Sequence, residues 1–281
     1  MQALSVLSPA ESSPALGSVT KHFHRLNRVL PENQVLVKIR PNQRVGEAFR
    51  LMKRGGFSQL PVVEDTEVLG LFSYRSFSEK LLRLKKVTGD LANLPVEEFV
   101  EKAQFARVTD DFDSIIEHLN QDNAVLVGEP DRLQGIVTAM DVLRYLYGVA
   151  SPFVMVSEIE LAIRALISLS VDAQLLASCA KSSLKFNHGE DKTPPTLTEM
   201  TFNDYVQIVG HGENWKHFEP IFGGMRETVR AKLVEVRDLR NDIFHFRRDL
   251  TLDDHERLLE HREWVLRKAR MADLRRKGGL I

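Results

Sequence analysis

The chain has 281 residues, 43% apolar and 27% charged, with a formal net charge of −1. That suits two globular domains of ordinary size and excludes a global positive field drawing the chain to nucleic acid or membrane. A single cysteine, Cys179, excludes an internal disulfide and a Cys-rich zinc site and fits a reducing, cytoplasmic setting, while no uncharged apolar run reaches the ~18 residues of a membrane span.

Residues 1–34 read as a flexible N-terminal segment. Its first part is rich in Ser, Ala and Pro with no basic stretch ahead of an apolar block, so no signal peptide is expected. His22 and His24 are expected to be exposed. Leu60-Pro61-Val62-Val63, an acidic turn and Val68-Leu69-Gly70-Leu71-Phe72-Ser73 predict a β-hairpin. Helical patterns over 45–53 and 76–84 flank it. The same order recurs: a helical pattern over 112–119, Ala124-Val125-Leu126-Val127, a Gly-Glu-Pro-Asp turn, Leu133 to Thr138, and a helical pattern over 141–147. Gly70 and Gly135 hold equivalent positions. Residues 35–90 and 91–150 are therefore two α-β-β-α copies, expected to pack as a pseudo-symmetric pair.

Gly148-Val149-Ala150-Ser151-Pro152 reads as a break. Beyond it, 151–272 reads as all-α. Helices are predicted over 153–170, 198–209, 225–247 and 253–270. The stretch 171–186 either continues the first of these or forms a second helix, and 187–195 is a polar loop. His211-Gly212-Glu213-Asn214 and the following residues read as a connector, with Trp215, Phe218 and Phe222 packing it onto the bundle. Asp253 and Asp254 suit the start of the last helix, Arg267 and Lys268 its end. Residues 273–281, with Arg275, Arg276 and Lys277, read as a basic tail that is either solvated or a help in holding RNA.

Gly135-Ile136-Val137-Thr138-Ala139-Met140-Asp141 places a strand end, a hydroxyl and a helix start in succession. The free N–H groups of such a turn and the Thr138 hydroxyl suit a phosphate, and Asp141 suits the two hydroxyls of a ribose. Asp141 also reads simply as a helix cap. The segment 35–147 resembles a tandem pair of CBS domains, a Bateman module. That resemblance implies an adenosine-type ligand in the cleft between copies: AMP, ADP, ATP or S-adenosylmethionine. Thr138 would meet phosphate, Asp141 the ribose, and Asn123 would border the base. The first copy reads Gly70-Leu71-Phe72-Ser73-Tyr74-Arg75-Ser76. Ser73 keeps the hydroxyl, Ser76 replaces the aspartate, and Arg75 could supply charge to phosphate, so one good site and one weak or empty site are expected.

In the helix over 225–247, Val236, Leu239, Ile243 and Phe246 fall on one face. Arg237, Asn241, His245 and Arg248 lie opposite, with Arg240 at the edge. A histidine can move the 2′-hydroxyl proton of RNA, a guanidinium can grip the scissile phosphate, and an amide can orient either. Arg240-Asn241-Asp242-Ile243-Phe244-His245 resembles the motif of the HEPN superfamily, and Glu158-Ile159-Glu160-Leu161 with Arg164 resembles its opening helix. That resemblance implies a metal-independent endoribonuclease, often a toxin or antiviral effector, with Arg240, Asn241 and His245 catalytic, Arg237, Arg248 and Glu160 supporting, and a site completed across a homodimer. A solvated charged face and a non-catalytic domain for dimerisation or RNA binding are the other readings of the same residues. No Walker-type loop, Rossmann fingerprint or nucleophile elbow is present.

The expected fold class is α+β, a CBS pair followed by an all-α HEPN-like bundle. The expected function is adenine-nucleotide sensing that regulates a ribonuclease. The alternative is a nucleotide-sensing adaptor without catalysis, engaging a protein partner. Neither metal nor membrane enters these expectations.

Overall fold

The computed structural model describes residues 25–30, 34–83, 89–185, 194 and 196–277. The chain divides into two compact units, Met1–Leu146 and Tyr147–Ile281. The first is α/β and the second is helical.

The first unit runs α1 (Leu26–Val29), α2 (Val45–Gly55), β1 (Gln59–Glu64), β2 (Glu67–Ser73), α3 (Tyr74–Arg83), β3 (Phe105–Ala106), α4 (Asp113–Asp122), β4 (Ala124–Glu129) and β5 (Arg132–Thr138), with short 3-10 turns at Leu91–Asn93 and Val96–Phe99. Strands β1 and β2 form one antiparallel hairpin, Gln59 opposite Ser73 and Glu64 opposite Glu67. Strands β4 and β5 form the other, Ala124 opposite Thr138 and Glu129 opposite Arg132. The hairpins share an irregularity, at Val62/Val63 and at Val127/Gly128. Each repeat also opens with a short parallel pairing: β3 on β4, and the bridge of Ile39 with Val62. The pairing is buried because both hairpins carry continuous apolar runs, β1 and β4 alike having five buried residues before an exposed glutamate. Val63, Val68, Leu71, Ala103, Ala124 and Leu126 form the cluster where the repeats meet.

Each repeat is completed by the lead-in of the other. Leu26 and Val29 of α1 pack with Ile115, Leu119 and Val137 of the second repeat. The Leu26 and Asn27 N–H groups donate to the carbonyls of Asp110 and Val108, both at 3.0 Å. Conversely, Val96 and Phe99 pack with Val45, Met52 and Phe72 of the first repeat. The two equivalent glycines make room for this exchange. A Cβ on Gly70 would sit 2.2 Å from the Glu101 carbonyl oxygen, and one on Gly135 would sit 2.6 Å from the Leu30 side chain. The expectation of a flexible segment over 1–34 is corrected at Leu26–Val29, where Leu26 is fully buried. The rest of that expectation, with His22 and His24, falls largely outside the described residues.

Helix α5 runs Ala139–Ser170, through Pro152 and without the expected break. The reason is visible in its spacing: Pro152, Val156, Ile159, Ile163 and Leu166 are buried at i, i+4, i+7, i+11 and i+14, a continuous stripe. Burial of that stripe outweighs the one hydrogen bond that the proline removes.

The second unit continues with α6 (Ala173–Ser183), α7 (Phe202–Gly210), α8 (Trp215–Phe222), α9 (Arg226–Phe244) and α10 (Leu252–Lys277). The Asp172 side chain caps α6 by accepting from the Leu175 N–H at 2.8 Å, so 171–186 forms a second helix. Helix α7 starts at Phe202 rather than at the expected 198, capped through a box in which Thr201 and Asp204 satisfy each other's N–H groups. The expected connector after Asn214 is helix α8, because Trp215, Phe218 and Phe222 recur at helical spacing and the last two are fully buried. The expected frayed tail is helical through Lys277. Tyr205, Val206, Phe218, Leu233, Val236 and Leu258 sit at the centre of this unit's core.

Helix α9 stops at Phe244, short of the expected 247. Phe246 takes a left-handed φ of 50°, and Arg248 is drawn aside to Asp242 and Asp254. Phe246 is therefore 70% exposed rather than in the core, and His245 is the residue that ends the helix.

Candidate functional site

In the first unit a cleft of about 740 Å³ opens beside the N-terminus of α5. It gathers all five residues singled out there: Thr138, Asp141, Asn123, Ser73 and Arg75. Their partners differ.

Thr138 and Asp141 form a capping box. The Thr138 N–H and hydroxyl both donate to Asp141 Oδ2, at 2.9 and 2.6 Å, and the Asp141 N–H donates back to Thr138 Oγ1 at 3.3 Å. The Thr138 hydroxyl is thus spent on its own helix. The N–H groups of the first helical turn, at Ala139 and Met140, have no partner within the helix by its geometry and are the kind of donors that can hold an anion. The cap uses only Oδ2 of Asp141; Oδ1 has the Arg144 guanidinium at 3.9 Å. Both the cap and the ligand reading of Asp141 fit one carboxylate, because each oxygen can serve a different partner.

The first repeat repeats the cap but closes it. The Ser73 N–H donates to Ser76 Oγ and the Ser76 N–H to Ser73 Oγ, both at 2.9 Å. Ser76 is buried and offers no outward oxygen. The Ser73 hydroxyl donates to Glu101 at 2.8 Å. Arg75 is held by Glu101 at 3.1 Å, by Asp122 at 3.2 Å and by the Gln121 carbonyl. The expectation that Arg75 offers charge to a phosphate is corrected: its guanidinium is already engaged by three carboxylates, Glu79, Glu101 and Asp122. Arg144, 75% exposed, is the less committed cation.

Asn123 ends α4 in a left-handed conformation with φ of 61°, a position that suits asparagine. Sequence reasoning missed several walls of the cleft. Val35, Phe57, Tyr74 and Met140 present exposed apolar surface there, and Tyr74 is stacked on Phe49 at 5.3 Å. The Gln34 amide clasps Ile136 through two 2.9 Å hydrogen bonds. The repeat pattern held a signal for this last contact, since Gln34 meets the second hairpin where Glu101 meets the first.

In the second unit the Arg-Asn-x-x-x-His run lies at the C-terminal end of α9 and its cap. Arg240 stacks over the Phe244 ring at 4.8 Å and donates to Asn241 Oδ1 at 3.3 Å. Its Nε is buried with no hydrogen-bond partner among the described residues. His245 is exposed. Phe153, Phe244 and Phe246 form an aromatic group beside this run, with ring centroids 5.4 and 6.4 Å from Phe153. The supporting residues are more occupied than expected. Arg237 pairs with Asp238 at 2.8 Å and with Asn203 at 3.1 Å. Arg248 pairs with Asp242 at 2.8 Å and with Asp254. Glu160 is bound to Arg164, whose Nε donates to the buried Tyr205 hydroxyl at 2.8 Å. Arg240 is thus the arginine of this group left without a carboxylate among the described residues.

No group of three or more His, Cys, Asp or Glu residues that could hold a metal is found among the described residues. No described helix is long and apolar enough to cross a membrane.

Residues 33–83, the first repeat, match the family model of the CBS domain. No curated protein matches the chain. Among solved structures, a CBS-domain-containing protein from Agrobacterium tumefaciens is 20% identical and covers 43% of this chain and 96% of that one, with a TM-score of 0.38. CBSX2, solved in complex with AMP, is 19% identical over 44% of this chain and 96% of that one, with a TM-score of 0.38. The protein MJ1225 from Methanocaldococcus jannaschii is 25% identical over 47% of this chain and 51% of that one, with a TM-score of 0.39.

Proposed function

We propose that the first unit is a regulatory module that binds an adenine nucleoside or nucleotide in the cleft at Asp141, and that the helical unit is a HEPN-type, metal-independent endoribonuclease whose activity responds to it. The nucleotide half rests on one observation above all. Asp141 lines the cleft beside a helix N-terminus, its second carboxylate oxygen is not used by the capping box, and exposed apolar side chains line the same cleft. Ribose hydroxyls on that oxygen, phosphate on the Ala139 and Met140 N–H groups and an adenine ring against the apolar walls use every feature of the cleft. The CBS match over 33–83 supports the same reading. Calorimetry with AMP tests it. Asp141→Ala should weaken binding by about tenfold or more, since hydrogen bonds to a charged group contribute about 1.5–3 kcal/mol. Unchanged affinity would remove the ribose role.

The ribonuclease half rests on the Arg240 guanidinium, which has no carboxylate partner among the described residues, contacts Asn241 and is close in sequence to an exposed histidine. His245 would take the 2′-hydroxyl proton as the 2′-oxygen bonds to phosphorus, Arg240 would stabilise the charge that builds on the scissile phosphate, and the P–O5′ bond would break with the 5′-oxygen taking a proton from water, leaving a 2′,3′-cyclic phosphate. The test is RNA incubated in EDTA with and without AMP. Cleavage should persist in EDTA and fall by about 100-fold or more in His245→Ala and in Arg240→Ala. Cleavage that survives in both variants sinks the assignment. Absence of cleavage under every nucleotide condition favours the adaptor reading, in which the same surface binds RNA or protein without cutting.

A further inference from the structure

A second cavity, in the helical unit, has a chemistry unlike either site above. It encloses about 540 Å³ between the end of α5, helix α8 and the last turns of α10. Its floor is aliphatic: Leu169, Pro220, Ile221, Met271 and Ala272. Its polar lining is almost wholly basic: His217, Lys268, Arg275 and Arg276, with no carboxylate among the lining residues. Lys268, Arg275 and Arg276 have no ion pair among the described residues, whereas the neighbouring Lys277 is paired with Asp273 at 2.7 Å. The Lys268 amine lies over Gly223, 3.2 Å from where a Cβ would stand. Arg275 is steered toward the cavity by donating to the Pro220 carbonyl at 3.2 Å.

The helix dipole favours basic residues in a last turn, which accounts for Arg275 and Arg276. It does not account for Lys268 two turns earlier, nor for the aliphatic hollow they surround. Like charges brought together over apolar surface repel one another unless a counter-charge joins them. We infer that this cavity binds a free anionic amphiphile, an acyl chain ending in a carboxylate or phosphate, with the chain on the aliphatic floor and the anion held by Lys268, Arg275 and Arg276. The volume falls in the range of small-ligand pockets, about 300–1,000 Å³. RNA fits less well, because single-stranded binding relies on aromatic platforms for the bases and the lining holds no Phe, Tyr or Trp.

The full-length protein is titrated in a calorimeter with laurate and lauryl phosphate below their micelle-forming concentrations, with inorganic phosphate, with dodecanol and with a short oligoribonucleotide. Flotation with phosphatidylglycerol vesicles runs in parallel. Both amphiphiles should bind with affinity on the order of micromolar, while inorganic phosphate and dodecanol should bind at least about tenfold more weakly. The double variant K268E/R276E should lose about tenfold or more, as should Ile221→Arg, with melting curves showing that each variant folds. Binding of the amphiphiles that is unaltered in both folded variants overturns the inference. So does dodecanol binding as tightly as laurate, or capture of vesicles or oligoribonucleotide through these residues without binding of the free amphiphiles. This inference does not depend on the nucleotide cleft or on the ribonuclease reading, so its failure leaves both intact.

Discussion

Three Thr-x-x-Asp pairs open helices among the described residues, at Thr138/Asp141, Thr201/Asp204 and Thr251/Asp254, with one shared hydrogen-bond pattern. What separates them is where the second carboxylate oxygen goes. Asp204 is 1% exposed, Asp254 is taken by Arg248, and Asp141 faces a cleft. A motif read along the chain registers the cap and not the surroundings, which is why the sequence leaves Asp141 open to both a capping and a ligand reading. The Arg248 guanidinium holds the Asp254 carboxyl well below the ordinary carboxylate range, against the opposing effect of its burial. A depressed carboxylate contributes stability that is present above its unfolded pKa, about 3.9, and lost as pH falls through the acid range. Asp254→Asn should therefore lower the melting temperature at neutral pH, with the gap from wild type narrowing progressively below about pH 4. An equal gap at every pH would show that the pair's charge is not what matters there.

At the scale of elements, both hairpins and most helices were legible, because alternation, apolar runs and turn residues are local signals. What escaped was set by long-range partners. Leu26–Val29 is too short to register as a helix alone and exists because Asp110 and Val108 accept its first N–H groups. Pro152 looked like a stop, yet the helix continues through it and the buried stripe begins at the proline itself. The end of α9 moved because Arg248 found carboxylates elsewhere. The swapped lead-ins give a direct prediction. Leu26→Ala should destabilise the first unit by about 2–4 kcal/mol, the usual cost of emptying a buried leucine site, measured by urea unfolding of the full chain. A change below about 0.5 kcal/mol, typical of a surface position, would mean that α1 is not part of the fold's core.

At the scale of the molecule, two units carry two chemistries. The first holds a near-neutral cleft in which the carboxylates of Asp122 and Asp141 face the guanidinium groups of Arg75 and Arg144. The first repeat's own cap is closed on itself by Ser76 and Glu101. The proposed function therefore predicts one adenine ligand per chain, anchored at Asp141. The candidate cluster at Arg240, Asn241 and His245 was legible as a pattern on a helix, as was the charged face around it, where Arg237 pairs with Asp238 and Arg248 with Asp242; the pairing of Arg248 with Asp254 on the next helix was not. The measurement closest to the central claim is amide hydrogen exchange of the full chain with and without saturating AMP. Slowed exchange should concentrate at Ala139–Asp141, Asn123 and Val35–Val37, leaving Ser76, which does not line the cleft, unchanged. No protection at Ala139–Asp141 under saturating AMP would contradict the account.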